Sequence, residues 1–545
     1  MKQLQSRLTD IIRAKFDVEA TPELMRPDPQ FGDFSTNVAL QLAGKLGKNP
    51  REVAGIIVDE LQKTNAYDAV TLAGPGFINI ALGARDLLAL LNEAVDHSAA
   101  TAQVVIETNN PNPFKAMHIG HAFNAILADT VANLLENGKA TVHRVSYHGD
   151  VGAHVGKSMW AILRYLDGDI QKLLMIEAAE RNTFMSKMYA EGAKAYKENE
   201  SVKSEIDELA KESFVLEDMF YKEVYEICKG WSFEQIDTIV ARLGNQPIEK
   251  RYLESQADPI GVMTVKNHAG TVFAESNGAL VFEGSNYGSF DNAFVASNGR
   301  GLYAARDLGL MQLKNNDFHP DKSYIVTAEE QRAYFKGVIA AAGQCLPELA
   351  EQTVNISTGT VKLNTGKMSS RNGDIIEIGW LFEQFKQAIE ERGGEPTDEI
   401  AAGAMRYQFL KVKIGSDVVF DITEAVSLQG NTGSYLQYAH ARACRILEKA
   451  GESVEVLDTV KPEDRQLVRK LGEYHEIIKR ANSELAPHHI CTYLFELAQE
   501  FNRYYESNQV IGSDVEAHRL ALVNVYAETL RRGLKLLGIV APDSM

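Results

Sequence analysis

At 545 residues the chain is longer than one hydrophobic core can organise, so three or four domains are expected. Its 45% hydrophobic and 24% charged residues are those of an ordinary globular protein, and its apolar runs are too short to span a bilayer. A formal net charge of −18 argues against non-specific nucleic-acid binding, although one face can still carry a local basic surface. The N-terminal stretch MKQLQSRLTDIIRAKF lacks the apolar block and cleavage site of a signal peptide. Four scattered cysteines (Cys228, Cys345, Cys444, Cys491) form no CxxC pair, so neither a disulfide framework nor a cysteine metal site is expected and the cytoplasm is the default compartment.

Residues 1–100 mix helical periodicity with GPGFINIAL (74–82), a glycine turn running into a strand, and predict a small α+β domain. From 103 the pattern changes. QVVIET is a short β-branched strand, and Phe123, Ile126, Leu127, Thr130, Val131, Leu134 and Leu135 then recur at helical spacing. Asn137-Gly138 stops that helix, and TVHRVS (141–146) is a second strand. Strand, helix and strand in succession make a βαβ unit, hence a parallel sheet with a right-handed crossover. Residues 169–257 are charged and helical in pattern, as in EGAKAYKENESVKSEIDELAKE (191–212), and read as an insertion. Strand signals return at 261–305, where Asn298-Gly299 marks a tight turn between AFVAS and LYAARD. A helix near 306–314, a strand at SYIVTA (323–328), another helix and a strand near 359–363 follow. After about 395 the chain reads as helices alone, among them YLQYAHARACRIL, LFELAQEFNRYYE and HRLALVNVYAETLRRGLKLLG. The expected architecture is α/β: a parallel-sheet core split by a mainly helical insertion, with an N-terminal α+β domain and a C-terminal all-α bundle. Its expected divisions are 1–100, 101–168, 169–260, 261–394 and 395–545.

Three sets of residues carry chemistry. The first is HIGH at 118–121, at the junction of a parallel strand and a helix, where open sheets bind ligands and free N–H groups favour anions. Gly120 lets a flat ring approach the backbone, and His118 and His121 can donate to phosphate oxygens. By themselves, two histidines on one turn are more often packing or surface residues, and zinc is a weaker reading still because HExxH is absent. The second is GKMSSRNGD (366–374), which joins Lys367 and Arg371 with glycines, serines and Asn372. Such a loop suits a triphosphate whose leaving pyrophosphate gathers charge, though in isolation it reads as an exposed turn. No GxxxxGK[ST] is present, so this is no Walker-type site. The third set is Glu107, at the end of the first strand, with Tyr303 and Asp307 four apart in LYAARD. Two carboxylates and a phenol in one pocket suit a planar guanidinium, whereas a lysine ammonium would leave buried acceptors unpaired. Either acid alone is more often a surface or salt-bridging carboxylate.

HIGH near the start of the α/β core and KMSSR near its end together resemble the two signatures of class I aminoacyl-tRNA synthetases. The wider sequence is similar to the arginyl-tRNA synthetase family from about residue 20 to the end. The similar segments are FGDFSTNVA, GPGFINI, VVIETNNPNPFKAMHIGH, HGDVGAHVG, GLYAARD, SYIVTAEEQ, GKMSSRNG, LQGNTGSYLQYAHARA and RRGLKLLGIVAP, in family order. The resemblance implies a Rossmann-type catalytic domain at 101–168 and 261–394, an N-terminal tRNA-binding domain at 1–100 and a helical anticodon-binding domain at 395–545. It implies that Glu107, Tyr303 and Asp307 bind the guanidinium of L-arginine, and that Asn112, helped by Gln331, holds the α-amino group. His118, Gly120, His121, Lys367, Met368 and Ser369 would contact ATP, which brings Mg²⁺ with it, and Lys367 would stabilise the pyrophosphate.

The sequence also departs from the family pattern. The second lysine of a full KMSKS is Ser370 here, followed by Arg371, and the resemblance offers Lys115 as a substitute charge. His154 stands where the family's element usually has glutamine and is given no role, while Glu330-Gln331 suggests a one-residue shift around another family glutamine. The implied activity is ATP-dependent formation of arginyl-adenylate and transfer to tRNA(Arg), with bound tRNA required for the first step, in a cytoplasmic, monomeric enzyme with no membrane partner. Tyr435, Tyr438, Arg442, Tyr504 and Tyr505 are candidates for stacking on tRNA bases, against the commoner reading as helix-packing aromatics. Competing readings are a synthetase for another amino acid, a small nucleotidyltransferase, which leaves the insertion and the bundle without a purpose, and a catalytically silent tRNA-binding paralogue, which damage to the pocket would favour.

Overall fold

Five parallel strands build the sheet that organises the chain, in the order Thr353–Thr358, Lys322–Ala328, Gln103–Glu107, Thr141–His148, Lys250–Leu253. The computed structural model describes residues 1–92, 101–364, 376–451 and 456–545. Val104, Val105 and Ile106 are all buried, as a strand covered on both faces requires. The helix Ile119–Asn137 connects Gln103–Glu107 to its neighbour Thr141–His148, whereas the neighbour on the other side, Lys322–Ala328, enters much later in the chain. The strand order therefore reverses at Gln103–Glu107, and a crevice opens at the carboxyl ends of these strands.

Three expectations need correction. The stretch 169–260, read as mainly helical, contains the edge strand Lys250–Leu253, paired with Val145–His148 of the main sheet. KRYL is four residues long and half cationic, a composition that blunts an exposed edge and hides the strand from pattern reading. The preceding helices, Arg181–Glu198, Glu200–Val215 and Met219–Arg242, gather their own apolar core around Met185, Met188, Tyr225 and Trp231.

The second correction concerns 261–305. Residues up to Asn267 complete a helix, Glu254–Asn267, and LYAARD is no strand but opens the helix Tyr303–Phe318. The strand signals between them form a separate antiparallel sheet, Ala274–Ser276, Ala279–Phe282 and Asn292–Val295, and Gly299 turns with φ +81° toward the second helix. The two helices cross at glycines: a Cβ on Gly261 would lie 1.8 Å from the Ala305 carbonyl oxygen. Packing at that distance overrides the β-branched character of GVMTV. Third, the region after 395 is not helices alone, since Val418–Phe420 pairs in parallel with Val361–Leu363.

The N-terminal three-stranded antiparallel sheet, Phe34–Thr36, Phe77–Leu82 and Tyr67–Ala73, docks on the C-terminal helices through Arg465, which donates to Asp33 at 2.6 Å and Asp68 at 3.0 Å. A second junction lies under the helix Ile119–Asn137. Arg406, 0% exposed, donates to Asp129 at 2.8 Å, to Asn245 at 2.6 Å, and to the carbonyls of Leu243 at 3.0 Å and Leu537 at 2.8 Å. Among the described residues no helix is long and apolar enough to cross a membrane.

Candidate active site

The crevice holds a cavity of about 460 Å³. Glu107, at the end of its strand, forms the floor with Asp307, and Asn112, Lys115 and His121 line one wall. Gln331 lines the opposite wall and Glu330 does not; Tyr303, 65% exposed, stands at the mouth. The chain between strand and helix turns at Phe114, whose φ of +65° is unusual for a bulky side chain. That turn is held by Ser232 Oγ, which accepts from the Phe114 N–H at 3.0 Å, and by Ser158 Oγ, which donates to its carbonyl at 2.8 Å, and it delivers Lys115 to the cavity.

His118 caps the helix Ile119–Asn137 and its ring stacks on that of His121, with centroids 3.6 Å apart. A Cβ on Gly120 would come within 3.2 Å of the His118 ring. His121 Nδ1 accepts from the His118 backbone N–H at 3.2 Å, so a neutral His121 carries its proton on Nε2. Burial, with His118 and Lys115 nearby, holds His121 well below the usual imidazole range, and burial beside Lys115 also lowers His118. Both rings are therefore neutral donors at physiological pH, beside Lys115, whose own pKa burial lowers.

At the other end of the cavity, burial pushes the Asp307 carboxyl up to about 7; the Tyr334 hydroxyl that it accepts from works against this, and the charges of Glu107 and Glu254 add to it. Glu107 Oε1 accepts from the Lys314 ammonium at 2.7 Å and Oε2 from the Asn110 amide at 2.6 Å. Glu254 accepts from Arg306 at 2.6 Å. Asn112 Oδ1 accepts from the Gly149 N–H at 2.9 Å, which orients the amide and leaves one Oδ1 lone pair for a ligand. Thr108 Oγ1, the Asn109 amide and the Tyr147 hydroxyl are buried on or beside this wall with no hydrogen-bond partner among the described residues. Buried polar groups without partners are costly, and their concentration here marks a place where a polar ligand completes the network.

Sequence reading missed Lys314, Glu254, Arg306, Tyr147 and Tyr334. Lys314 was the most accessible of them: seven residues after Asp307, it lies two turns along the same helix face, within the helix expected near 306–314. His154 donates through Nε2 to the Gly149 carbonyl at 2.7 Å, and burial pulls its pKa down to about 4, so it braces the turn behind the cavity. Lys367, Met368, Ser369 and Arg371 lie outside the described residues. Beyond them, the chain joins the HIGH segment through Ile119 N–H to the Ile376 carbonyl at 3.0 Å and Ile378 N–H to the Met117 carbonyl at 3.1 Å.

Among the tRNA-facing candidates, Tyr438 is exposed and Arg442 sits over the Tyr505 ring at 4.7 Å. Tyr435 accepts from the Asn502 amide at 2.8 Å, and Tyr504, 5% exposed with its hydroxyl on Asp464 at 3.0 Å, is a packing residue that cannot stack on a base. One group of three potential metal ligands occurs among the described residues, His440, Cys444 and Asp543, but Arg531 donates to Asp543 at 2.7 Å and occupies the position of a cation.

A parallel sheet with a histidine pair at its switch point and a second, later segment returning to that pair defines a class I tRNA synthetase catalytic domain, and residues 86–421 match the family described as "tRNA synthetases class I (R), catalytic domain". Residues 2–82 match the arginyl tRNA synthetase N-terminal domain and 436–545 the DALR anticodon binding domain. The chain belongs to the arginyl-tRNA synthetase family. It is 28% identical to an arginine–tRNA ligase of Methanothermobacter thermautotrophicus, covering 97% of each chain, and 28% identical to one of Picosynechococcus sp., covering 100% of this chain and 99% of the relative. The fold matches the Thermus thermophilus arginyl-tRNA synthetase with a TM-score of 0.77 at 23% identity, covering 100% of both chains. It matches the Plasmodium falciparum arginyl-tRNA synthetase with a TM-score of 0.78 at 19% identity, covering 100% of this chain and 99% of that one.

Proposed function

We propose that this chain is an arginine–tRNA ligase, which activates L-arginine with ATP and passes the arginyl group to tRNA(Arg). The observation that carries the reading is the cavity lining, which brings Asp307 and Glu107 together with His121 of the HIGH segment. The guanidinium lies against these carboxylates with Tyr303 closing the mouth, and Asn112 and Gln331 take the α-amino group. The substrate carboxylate is ionised at neutral pH and attacks the α-phosphorus directly, forming the acyl–phosphate bond as the bond to pyrophosphate breaks. No general base is required, so rate comes from alignment and from neutralising phosphate charge. His118 and His121 donate as neutral rings, Gly120 gives the adenosine room, and Lys115 and Lys367 supply positive charge, with Met368 and Ser369 beside the nucleotide. Mg²⁺ enters as part of the MgATP substrate, because the carboxylates on the cavity wall already have protein partners. In the second step a hydroxyl of the terminal tRNA ribose attacks the acyl carbon and AMP leaves.

The N-terminal domain at 1–100 and the helical region at 395–545 hold tRNA, while 101–168 and 261–394, joined by the strand Lys250–Leu253, perform the chemistry. The enzyme works as a monomer in the cytoplasm. Arginine-dependent ATP–pyrophosphate exchange, run with and without tRNA and repeated with lysine, tests this reading. Exchange only with arginine and tRNA is expected; tRNA binding without exchange for any amino acid would identify a silent paralogue.

One prediction concerns pH. Arginine stays protonated across the neutral range, so the site binds it in the form with Asp307 ionised, and a carboxyl pushed up to about 7 must lose its proton on binding. The arginine KM should therefore fall about fivefold as pH rises from about 6 to 7, and level off above about 8. A KM that rises with pH over that interval would remove Asp307 from the guanidinium site.

A further inference from the structure

Lys314 stands behind the cavity rather than in it. Its side chain is 1% exposed and its ammonium is fixed on Glu107 Oε1 at 2.7 Å, while Asn110 holds Oε2 at 2.6 Å; the Glu107 side chain is itself only 2% exposed. Both carboxylate oxygens thus accept from protein donors, Lys314 behind the cavity and Asn110 in its lining, and Glu107 turns only lone pairs toward the cavity. Of the three carboxylates on the cavity wall, Glu254 shares Arg306 with Asp258, Glu107 is paired with Lys314, and Asp307 accepts, among the described residues, from the Tyr334 phenol.

A buried ion pair is a poor way to gain stability, since apolar side chains of the same volume commonly serve as well or better. The position of this pair, directly behind the pocket floor, gives it another use. We infer that Lys314 is a specificity-determining positioning residue: by holding Glu107 from behind it keeps both oxygens as acceptors, so that the cavity takes the N–H donors of a guanidinium and refuses the ureido oxygen of citrulline, its neutral isostere. The inference rests on the arginine reading of the site. A ureido oxygen placed against Glu107 meets lone pairs and finds no donor, which is how sites built from buried polar groups reject near-isosteres. Without Lys314, Glu107 and Asp307 share the floor with no ammonium behind them. A proton then replaces the missing charge, and a protonated carboxyl is a donor to that ureido oxygen.

The test measures the arginine KM, the ATP KM and the inhibition constant of citrulline in tRNA-supported ATP–pyrophosphate exchange. It compares the wild type with Lys314→Met and with Lys314→Gln. Lys314→Gln keeps a hydrogen-bond donor beside Glu107 while removing the charge, and decides the matter if Lys314→Met does not fold. The citrulline-to-arginine ratio is expected to narrow by at least about tenfold, with the ATP KM within about twofold of wild type. A ratio equal to wild type in a folded variant would reduce Lys314 to a structural residue. A wild-type enzyme with no arginine-dependent exchange would instead overturn the ligase reading itself.

Discussion

Replacing Asp307 by alanine is expected to raise the arginine KM roughly a hundredfold while the ATP KM stays within about twofold, because the variant removes a charge-assisted contact made to the guanidinium alone. Asp307 lines the same cavity as His121, and among the described residues its carboxylate accepts a hydrogen bond from the Tyr334 hydroxyl. Losing a buried partner of a charged group costs about 3 kcal/mol, and each 1.4 kcal/mol is about tenfold in affinity. Asp307→Asn should behave similarly, since an amide presents an N–H group where the guanidinium also presents donors. ATP–pyrophosphate exchange with each substrate varied in turn provides the check. Equal effects on arginine and ATP would place Asp307 outside the amino-acid site.

The βαβ unit that positions HIGH was legible because its strand is β-branched and its helix keeps a long apolar stripe, two signals that local chemistry alone creates. Glu107, Asn112, Lys115, His121, Tyr303 and Asp307 could be named from short motifs, and all of them border one cavity. Their partners could not. Glu254 stands 147 positions after Glu107, and Tyr147 and Tyr334 come from two further segments, so only tertiary folding brings them together; Arg306 lies within LYAARD itself, but its partner Glu254 is 52 positions away. Lys314 was recoverable in principle from its spacing after Asp307 on one helix, but a lysine on a helix carries no local sign that it is buried against a carboxylate 207 positions away. The strand Lys250–Leu253 was hidden for a different reason. Edge strands are selected for charge and brevity, which erases the alternation by which strands are recognised.

Arg406→Met is expected to cost about 3–5 kcal/mol of folding free energy, the largest stability effect of any single substitution considered, because it breaks a fully buried pair and strands Asp129. Arg406 reaches four segments at once: Asp129 and Thr130 on the HIGH helix, Leu243 and Asn245 at the exit of the helical insertion, its own helix Asp398–Leu410, and the Leu537 carbonyl after the last helix. Asp129 is not wholly abandoned in the variant, since Arg144 approaches it at 3.4 Å and the Gln246 N–H donates to it at 3.0 Å, which argues for the lower half of that range. Urea denaturation of the single variants Arg406→Met and Asp129→Leu and of the double variant separates the contributions. If the pair acts as a unit, the double variant loses less than the two singles added together. Strict additivity, or a loss below about 1 kcal/mol for Arg406→Met, would mean that apolar helix packing alone joins the HIGH helix to the C-terminal bundle.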